Sequence, residues 1–250
     1  MRVPVKGADM SMIMIESTLK KTIAVSLAVA FIIPIAAMEV RSDSKYASVL
    51  DNKLGRAKMI SLAVMEQAGD LGEGIRGLII DPDPLIRLRC AEVLGRVDDP
   101  LGTIYYLSRL CTDEDPDVQN AAVFSLGLAG HRKSTEQMTL ESINGVLKSA
   151  PLEIKITALR ALGLTKLRSA SELIVPYLRN FNSSLRVEAV MALSVLGDSS
   201  SAEACLISIH DPAPLVVASA VYAMGRLGYC RANDEIIALL MNEDESVRIA

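Results

Sequence analysis

A short apolar pattern recurs at a nearly constant interval through most of this 250-residue chain. Each copy has an aliphatic anchor residue, a small residue four positions later and a large apolar residue eight positions later. Because positions i, i+4 and i+8 lie on one stripe of an α-helix, each copy predicts a helix with one apolar face. The anchors are Ile86, Val118, Ile154, Leu185, Val216 and Val247, with separations of 32, 36, 31, 31 and 31 residues.

Side-chain size within the pattern is as regular as the spacing. Small residues beside large ones let neighbouring helices approach closely and interdigitate, so the copies are predicted to pack side by side. The small residues are Cys90, Ala122, Ala158, Ala189 and Ala220. The large residues, each followed by glycine or serine, are Leu94-Gly95, Leu126-Gly127, Leu162-Gly163, Leu193-Ser194 and Met224-Gly225.

Helix start signals agree with this register. Asp83-Pro84 and Asp115-Pro116 each place an N-cap acceptor before a proline at the first helical position. The cap position is occupied by Asn182 and Asp244 in two other copies, and by Pro151 and Ala213 in the remaining two.

Helix stop signals follow at a fixed distance. Gly130, Gly197 and Gly228 come twelve residues after an anchor, where a left-handed C-cap is expected. A second helix then fits into the gap before the next cap. The predicted second helices are 100–112, 136–149, 169–181, 199–210 and 232–241.

These units predict an all-α fold, an α-α solenoid (superhelix) of about five and a half helix pairs. A repeat of about 31 residues is typical of solenoids, in which each pair buries its apolar face against its neighbours. Composition agrees, because the chain has no Trp, only 3 Phe and 6 Tyr, and a core of aliphatic residues and alanine suits helix packing. A net charge of −4 gives no electrostatic footprint for nucleic acid.

Stretches 81–95, 113–127 and 242–250 resemble HEAT-like repeats, in particular the short bacterial variety of roughly 30 residues. The resemblance covers about residue 71 to the end and implies a helical-repeat fold. It also implies a basic residue just after each anchor, which fits Arg87, Lys155, Arg186 and Arg248 but not Gln119 or Val217. We expect these basic residues to be structural, binding loop carbonyls and carboxylates, and a continuous Asp–Arg ladder to fail in repeats two and five.

Residues 1–37 have the pattern of a signal peptide or N-terminal anchor. Lys20 and Lys21 precede 17 uncharged residues, 22–38, and the small pair Ala36-Ala37 stands where cleavage is expected. The run is short for a membrane span, which needs about 20 residues, and a buried N-terminal helix is the structural alternative. We expect an exported protein, periplasmic or extracellular, that meets a membrane only if this segment is not cleaved.

Residues 38–70 are predicted to be a linker and a leading cap helix, 46–68, with Val49, Ile60 and Val64 on its apolar side. Residues 71–250 are predicted to be the repeat array, truncated in its sixth repeat because the sequence stops three residues after Val247. The string from Gly72 to Gly77 matches G-x-G-x-x-G, but no strand is predicted before it, so we interpret it as a hinge and not as a dinucleotide site.

Other chemistry-bearing residues favour structural roles. His131 and His210 lie near predicted helix ends, where a cation is stabilising. Cys90, Cys111, Cys205 and Cys230 form no C-x-x-C pair and are predicted to be buried thiols, with a Cys205–Cys230 disulfide as the alternative. We predict no catalytic residue, no cofactor, no metal and no small-molecule substrate.

One position of the repeat suggests binding. Six residues after an anchor, a side chain faces away from the apolar stripe, and aromatic residues and Met are typical interface anchors. The predicted partner-binding ridge is Glu92, Phe124, Arg160, Met191 and Tyr222, and its alternative role is packing under a neighbouring helix.

We therefore expect a non-catalytic, exported scaffold for protein–protein interaction. The resemblance leaves two alternatives. The array could be the N-terminal repeat region of a longer enzyme such as a cyclophilin-type prolyl isomerase, or a bilin-lyase-like accessory protein.

Overall fold

The computed structural model describes residues 44–72, 74–97, 100–197, 199–229 and 233–250. Every regular element in those ranges is helical, which confirms the predicted all-α class. The chain divides into two compact units, Met1–Ala68 and Gly69–Ala250. The predicted signal peptide lies outside the described residues.

The described part of the first unit is a helix in two pieces, not the single helix predicted over 46–68. A 3-10 turn, Ser44–Tyr46, leads into α1 (Ala47–Leu50), and α2 (Lys53–Ala68) follows. The break occurs where the Asn52 side chain accepts a hydrogen bond from the Leu54 N–H at 2.9 Å. Val49 is buried as expected, but Met59 and Leu62 are the fully buried residues of α2, while Ile60 and Val64 are half-buried. The role of this segment as a cap stays a prediction.

The second unit is a row of helices that alternate between two kinds. We call the even-numbered helices from α4 onward the anchor helices, because each contains one anchor, and the odd-numbered helices from α5 onward the second helices. In chain order they are α3 (Ile75–Leu78), α4 (Pro84–Leu94), α5 (Pro100–Leu110), α6 (Pro116–Ala129), α7 (Glu136–Ser149), α8 (Leu152–Thr165), α9 (Ala170–Ile174), α10 (Ser183–Leu196), α11 (Ser199–Cys205), α12 (Pro214–Leu227), α13 (Asn233–Leu239) and α14 (Glu245–Ile249).

The core of this unit runs along the stacked anchor helices. Each anchor helix packs against the next, from α4 on α6 to α12 on α14. All six anchors are at most 4% exposed, and the small and large residues four and eight positions after them are at most 1% exposed. The sequence pattern therefore predicted both the helices and the face that each buries.

Glycine at the ninth position brings the anchor helices into backbone contact. A methyl group on Gly127 would lie 2.6 Å from the Cα of Ala161, and one on Gly163 would lie 2.7 Å from the carbonyl oxygen of Ala192. A methyl group on Gly95 would lie 2.8 Å from the Cβ of Ser125. Because separations below 3 Å leave no room for a side chain, these three junctions need glycine on the first helix and a small residue on the second. Ser194 takes the glycine position at the junction of α10 and α12.

The helix caps agree with prediction except at one glycine. Gly197 and Gly228 have φ of 80° and 65°, so both are left-handed C-caps. Gly130 has φ of −79°, so its predicted left-handed conformation is wrong. Its Cα instead lies against Thr139 of α7, where an added methyl would be 2.4 Å from the side chain, and close packing explains this glycine. The four predicted N-caps, all with a side chain that accepts a backbone N–H, are Asp83, Asp115, Asn182 and Asp244.

Two second helices tighten before they end. The predicted helix 169–181 is α9 followed by a 3-10 turn, Val175–Arg179. Pro176 has no N–H to continue the α-helical bonding, which accounts for this change. The predicted helix 199–210 is α11 followed by a 3-10 turn, Leu206–His210, and no residue there accounts for it in the same way.

The glycine junctions lead to a stability prediction. Replacing Gly127 by Ala should lower the free energy of unfolding by about 1–3 kcal/mol, because the methyl must push α6 and α8 apart. Gly145→Ala on α7 is the matched control, since a methyl there meets nothing within 4 Å. That control should gain up to about 1 kcal/mol from helix propensity. Urea unfolding of both variants measures the difference, and equal changes would contradict the close-contact interpretation.

Candidate functional site

The turns before the anchor helices are joined by buried arginine–aspartate pairs. The Arg87 Nε and Nη2 donate to the two carboxylate oxygens of Asp113, each at 2.8 Å, and its Nη1 donates to the carbonyl oxygen of Asp81 at 2.7 Å. Both side chains of the pair are less than 10% exposed. One guanidinium therefore ties its own turn to the turn of the next repeat.

Arg186 repeats this geometry three repeats later. Its Nε and Nη2 donate to Asp211 at 2.7 and 2.8 Å, and its Nη1 donates to the carbonyl oxygen of Asn180 at 2.8 Å. In repeat two, Gln119 donates to the carbonyl oxygen of Cys111 at 2.7 Å instead, and Val217 has no polar group to offer. The structure thus confirms that Arg87 and Arg186 are structural and that the ladder fails in repeats two and five. It also fails in repeat three, where the Lys155 side chain makes no hydrogen bond or ion pair with the described residues.

An Asp–Arg ladder was expected from the sequence, but the particular aspartates that form it were not identified. Each accepts a hydrogen bond from the backbone N–H two residues later and so shapes the turn. For example, the Asp115 N–H donates to the Asp113 carboxylate at 2.9 Å. The same carboxylate also binds the arginine. A signal for them existed, because Asp or Asn stands five residues before the anchor in five of the six copies. These residues are Asp81, Asp113, Asn180, Asp211 and Asn242.

A separate surface, formed by the outward face of the anchor helices, contains the predicted ridge. An open groove of about 270 Å³ crosses α6, α8 and α10, and we call it the A-face groove. Its walls combine Phe124, which is 39% exposed, with half-buried Met191 and exposed Arg160. The complete lining is Phe124, Arg160, Leu164, Glu188, Met191, Ala192 and Val195.

An ion pair closes one part of this groove. The Arg160 Nε and Nη2 donate to the two carboxylate oxygens of Glu188 at 3.2 and 2.8 Å, so α8 and α10 are linked across the groove. Glu188 was not predicted, because its position is three residues after an anchor and acidic in this repeat alone. The two charges of this pair compensate each other, and the remaining side chains that line the groove are apolar.

The other two ridge residues stand outside the groove. Glu92 lies on α4, where its carboxylate pairs with Arg89 of the same helix at 3.1 Å. Tyr222 lies on α12 and is 49% exposed. The structure therefore brings Phe124, Arg160 and Met191 together and leaves Glu92 and Tyr222 as separate points on neighbouring helices.

The described cysteines and His131 have structural surroundings. Cys90, Cys111 and Cys205 are buried and have free thiols, while Cys230 lies outside the described residues. Burial raises the pKa of Cys111 and of Cys205 to about 12, so these thiols stay protonated at neutral pH and are poor nucleophiles. His131 approaches the carbonyl oxygen of Leu128 at 3.3 Å, as its predicted position at a helix end requires.

Several other site types find no support in the part of the chain that the structure describes. No strand precedes the glycine string that begins at Gly72, so the strand-to-helix turn of a dinucleotide site does not occur there. In the same ranges no group of three or more His, Cys, Asp or Glu is placed to hold a metal ion. None of the described helices has the length and hydropathy that crossing a bilayer requires.

Comparison with known proteins agrees with this architecture. The model for HEAT repeats matches residues 74–139. Among solved structures, YibA of Escherichia coli aligns with a TM-score of 0.54 and 21% sequence identity, over 74% of this chain and 70% of YibA. Residues 74–139 of this chain are therefore HEAT repeats.

Two further solved structures resemble the HEAT-like array more distantly. An engineered protein aligns with a TM-score of 0.46 and 17% identity, over 71% of this chain and 92% of that protein. Human deoxyhypusine hydroxylase, solved in complex with glycerol, aligns with a TM-score of 0.39 and 16% identity, over 86% of this chain and 94% of that protein. No curated protein matches the sequence.

The ion-pair ladder leads to a prediction about pH. Burial raises the pKa of Asp113, but the hydrogen bonds from Arg87 and from the Asp115 N–H, with the charge of Arg87, outweigh it and hold that pKa below its ordinary value. The same causes, with Arg186 as partner, lower the pKa of Asp211. Because the folded state favours both ionised carboxylates, their contribution to stability is full above the unfolded pKa of about 3.9 and declines as the pH falls through the folded pKa.

Replacing Asp113 by Asn should lower the free energy of unfolding at pH 7 by about 2–4 kcal/mol, because it leaves the buried Arg87 with only the exposed carboxylate of Glu114, 3.6 Å away, as a counter-charge. The variant should also lose stability less steeply than the wild type between about pH 5 and pH 3. Glu203→Gln, which changes an exposed carboxylate on α11, is the control and should follow the wild-type profile. Urea unfolding at a series of pH values measures both effects. Parallel profiles for Asp113→Asn and wild type would be inconsistent with a depressed pKa at Asp113.

Proposed function

We propose that this HEAT-like repeat protein is a non-catalytic scaffold that binds a protein partner through the A-face groove. The observation that carries this proposal is the assembly of Phe124, Arg160 and Met191 into one groove across three successive helices. A partner that fits it presents an aliphatic or aromatic side chain to the floor and polar groups to the Arg160–Glu188 pair.

The chemistry of the groove supports binding over catalysis. Its floor consists of aliphatic, methionine and aromatic side chains, which gain energy by being removed from water. The only charged groups in its lining, Arg160 and Glu188, neutralise each other at 2.8 Å. Such a surface offers shape and apolar area, and the ion pair at its edge offers specificity, as in the rim of a protein interface.

The geometry also supports a preformed site. The groove is built on α6, α8 and α10, and the first two are in backbone contact at Gly127 while the last two are in contact at Gly163. A groove on rigid helices loses little conformational entropy when a partner binds. A small apolar contact area can therefore give useful affinity.

Peptide selection tests this proposal. The full chain would be used to select binders from a phage-displayed library of random 16-residue peptides, and the affinity of the selected peptides would be measured by calorimetry. Phe124→Ala and Met191→Glu should each weaken binding by about tenfold or more, since interface anchors of this kind cost about 2 kcal/mol when lost.

The matched control is Tyr105→Ala. Tyr105 lies on α5, is 51% exposed and is aromatic like Phe124, but it is not part of the groove. Binding should be unchanged in this variant, and circular dichroism should show all three variants folded. If the selected peptides bind Phe124→Ala and Met191→Glu as tightly as wild type, the A-face groove is not the binding surface.

We also propose that the protein is exported. Support comes from the order of Lys20-Lys21, the apolar run 22–38 and the pair Ala36-Ala37 in the sequence. Expression of the full chain in a bacterial host, followed by fractionation and N-terminal sequencing, should give a periplasmic product that begins at Met38. A cytoplasmic product that retains the residues around Lys20 would contradict export.

A further inference from the structure

A second groove lies among the second helices and shares no residue with the A-face groove. We call it the B-face groove. It has a volume of about 450 Å³ and is lined by residues of α11 and of the 3-10 turns that follow α9 and α11. Val175 and Ile207 in its wall are 41% and 42% exposed. Both side chains would gain energy if another surface removed them from water.

The B-face groove occurs where two successive second helices become thinner. Val175–Arg179 and Leu206–His210 are both 3-10 turns, whereas α5 and α7 are α-helical throughout. Since a 3-10 helix has three residues per turn and rises about 2.0 Å per residue, it is narrower than an α-helix. Two narrow helices side by side leave space between them. The second turn, which no residue of its own explains, thus forms one wall of a groove.

Two charged side chains line the B-face groove without pairing. Arg179 and Glu203 are both in its wall, and both are exposed. In the part of the chain that the structure describes, neither side chain makes an ion pair or a hydrogen bond. The A-face groove differs, because there Arg160 and Glu188 are joined at 2.8 Å. The charges of the B-face groove are therefore available to a partner.

The sequence positions show how these four side chains are arranged. Because α9 and α11 are equivalent helices of successive repeats, they run in the same direction. Val175 and Ile207 stand at nearly the same level, ten and nine residues before the next anchor. Arg179 comes four residues after Val175, and Glu203 comes four residues before Ile207. The two charges therefore lie at opposite ends of the groove, on different helices, with the aliphatic pair between them.

We propose that two copies of this chain form a dimer through the B-face groove. A two-fold axis places the same surface of both copies face to face, so every contact between two different residues occurs twice. A groove with one positive end and one negative end is self-complementary in this arrangement. Arg179 of each copy pairs with Glu203 of the other, and Val175 and Ile207 of both copies fill the apolar centre.

Charge complementarity favours a second copy over a partner of a single charge. A uniformly acidic or basic partner would satisfy one end of the groove and be repelled at the other, whereas a second copy satisfies both ends. Because only short helices line the groove, the interface is at the small end of specific interfaces, and a dissociation constant of about 10–100 μM is expected.

Analytical ultracentrifugation of the full chain, from about 1 to about 300 μM, measures this dimer. The wild type should convert reversibly from monomer to dimer as its concentration rises. Salt should weaken the dimer, because the two ion pairs lie at the edge of the interface. Arg179→Glu and Glu203→Arg should each raise the dissociation constant by about hundredfold, since each places like charges face to face.

Mixing the two variants separates charge pairing from damage to the fold. A one-to-one mixture of Arg179→Glu and Glu203→Arg chains should form a heterodimer about as tightly as the wild type, because only opposite charges then meet. A chain with both substitutions should form a homodimer for the same reason. Arg226→Glu, which changes an exposed arginine on α12 outside the groove, is the matched control and should dimerise as wild type.

Three results would overturn the proposal. They are a wild-type chain that stays monomeric at the highest concentration, a dimer that neither charge reversal weakens, and a mixture of the two reversed chains that stays monomeric although circular dichroism shows both folded. These outcomes are independent of the A-face groove, because Phe124→Ala and Met191→Glu should leave dimerisation unchanged.

Discussion

Backbone contact between successive anchor helices is the constraint on which the structure depends. At Gly127 the next helix approaches so closely that a single methyl group would collide with its Cα. Two helices held at that distance have little freedom to slide or rotate, so the buried stripe and the outward face of each helix are fixed together. The A-face groove and the arginine ladder both follow from this, because each joins side chains of neighbouring helices that must keep their register.

The sequence predicted the parts of this fold that repeat. A buried stripe with a period of 3.6 residues and caps at fixed offsets are local signals, and six copies reinforce one another. The sequence did not predict the roles of residues that act at a single junction. Glycine at position 130 is typical of a left-handed cap, yet glycine is needed there because the backbone is in close contact with Thr139. That contact depends on how α7 packs across α6. Similarly, Glu188 became relevant only when α8 and α10 placed it beside Arg160.

The groove was predicted in part for the same reason. Helical angle alone indicates that positions six residues after each anchor face outward, and this is true of Phe124, Arg160 and Met191. The helical angle does not indicate which of the five equivalent positions line the same groove. That depends on side-chain lengths, which let Leu164 and Val195 complete the floor between α8 and α10, while Glu92 is held by Arg89 on its own helix.

The junction between α6 and α8 differs from the others in a way that affects the groove. Gln119 takes the place of a ladder arginine there, and among the described residues no side chain of α6 hydrogen-bonds to α8. Only apolar contact around Gly127 holds these two helices, whereas Arg160 and Glu188 fasten α8 to α10. Since Phe124 lies on one side of this junction and Met191 on the other, the helix spacing that Gly127 permits also sets the width of the groove. A larger residue at position 127 would therefore alter the binding surface as well as the core.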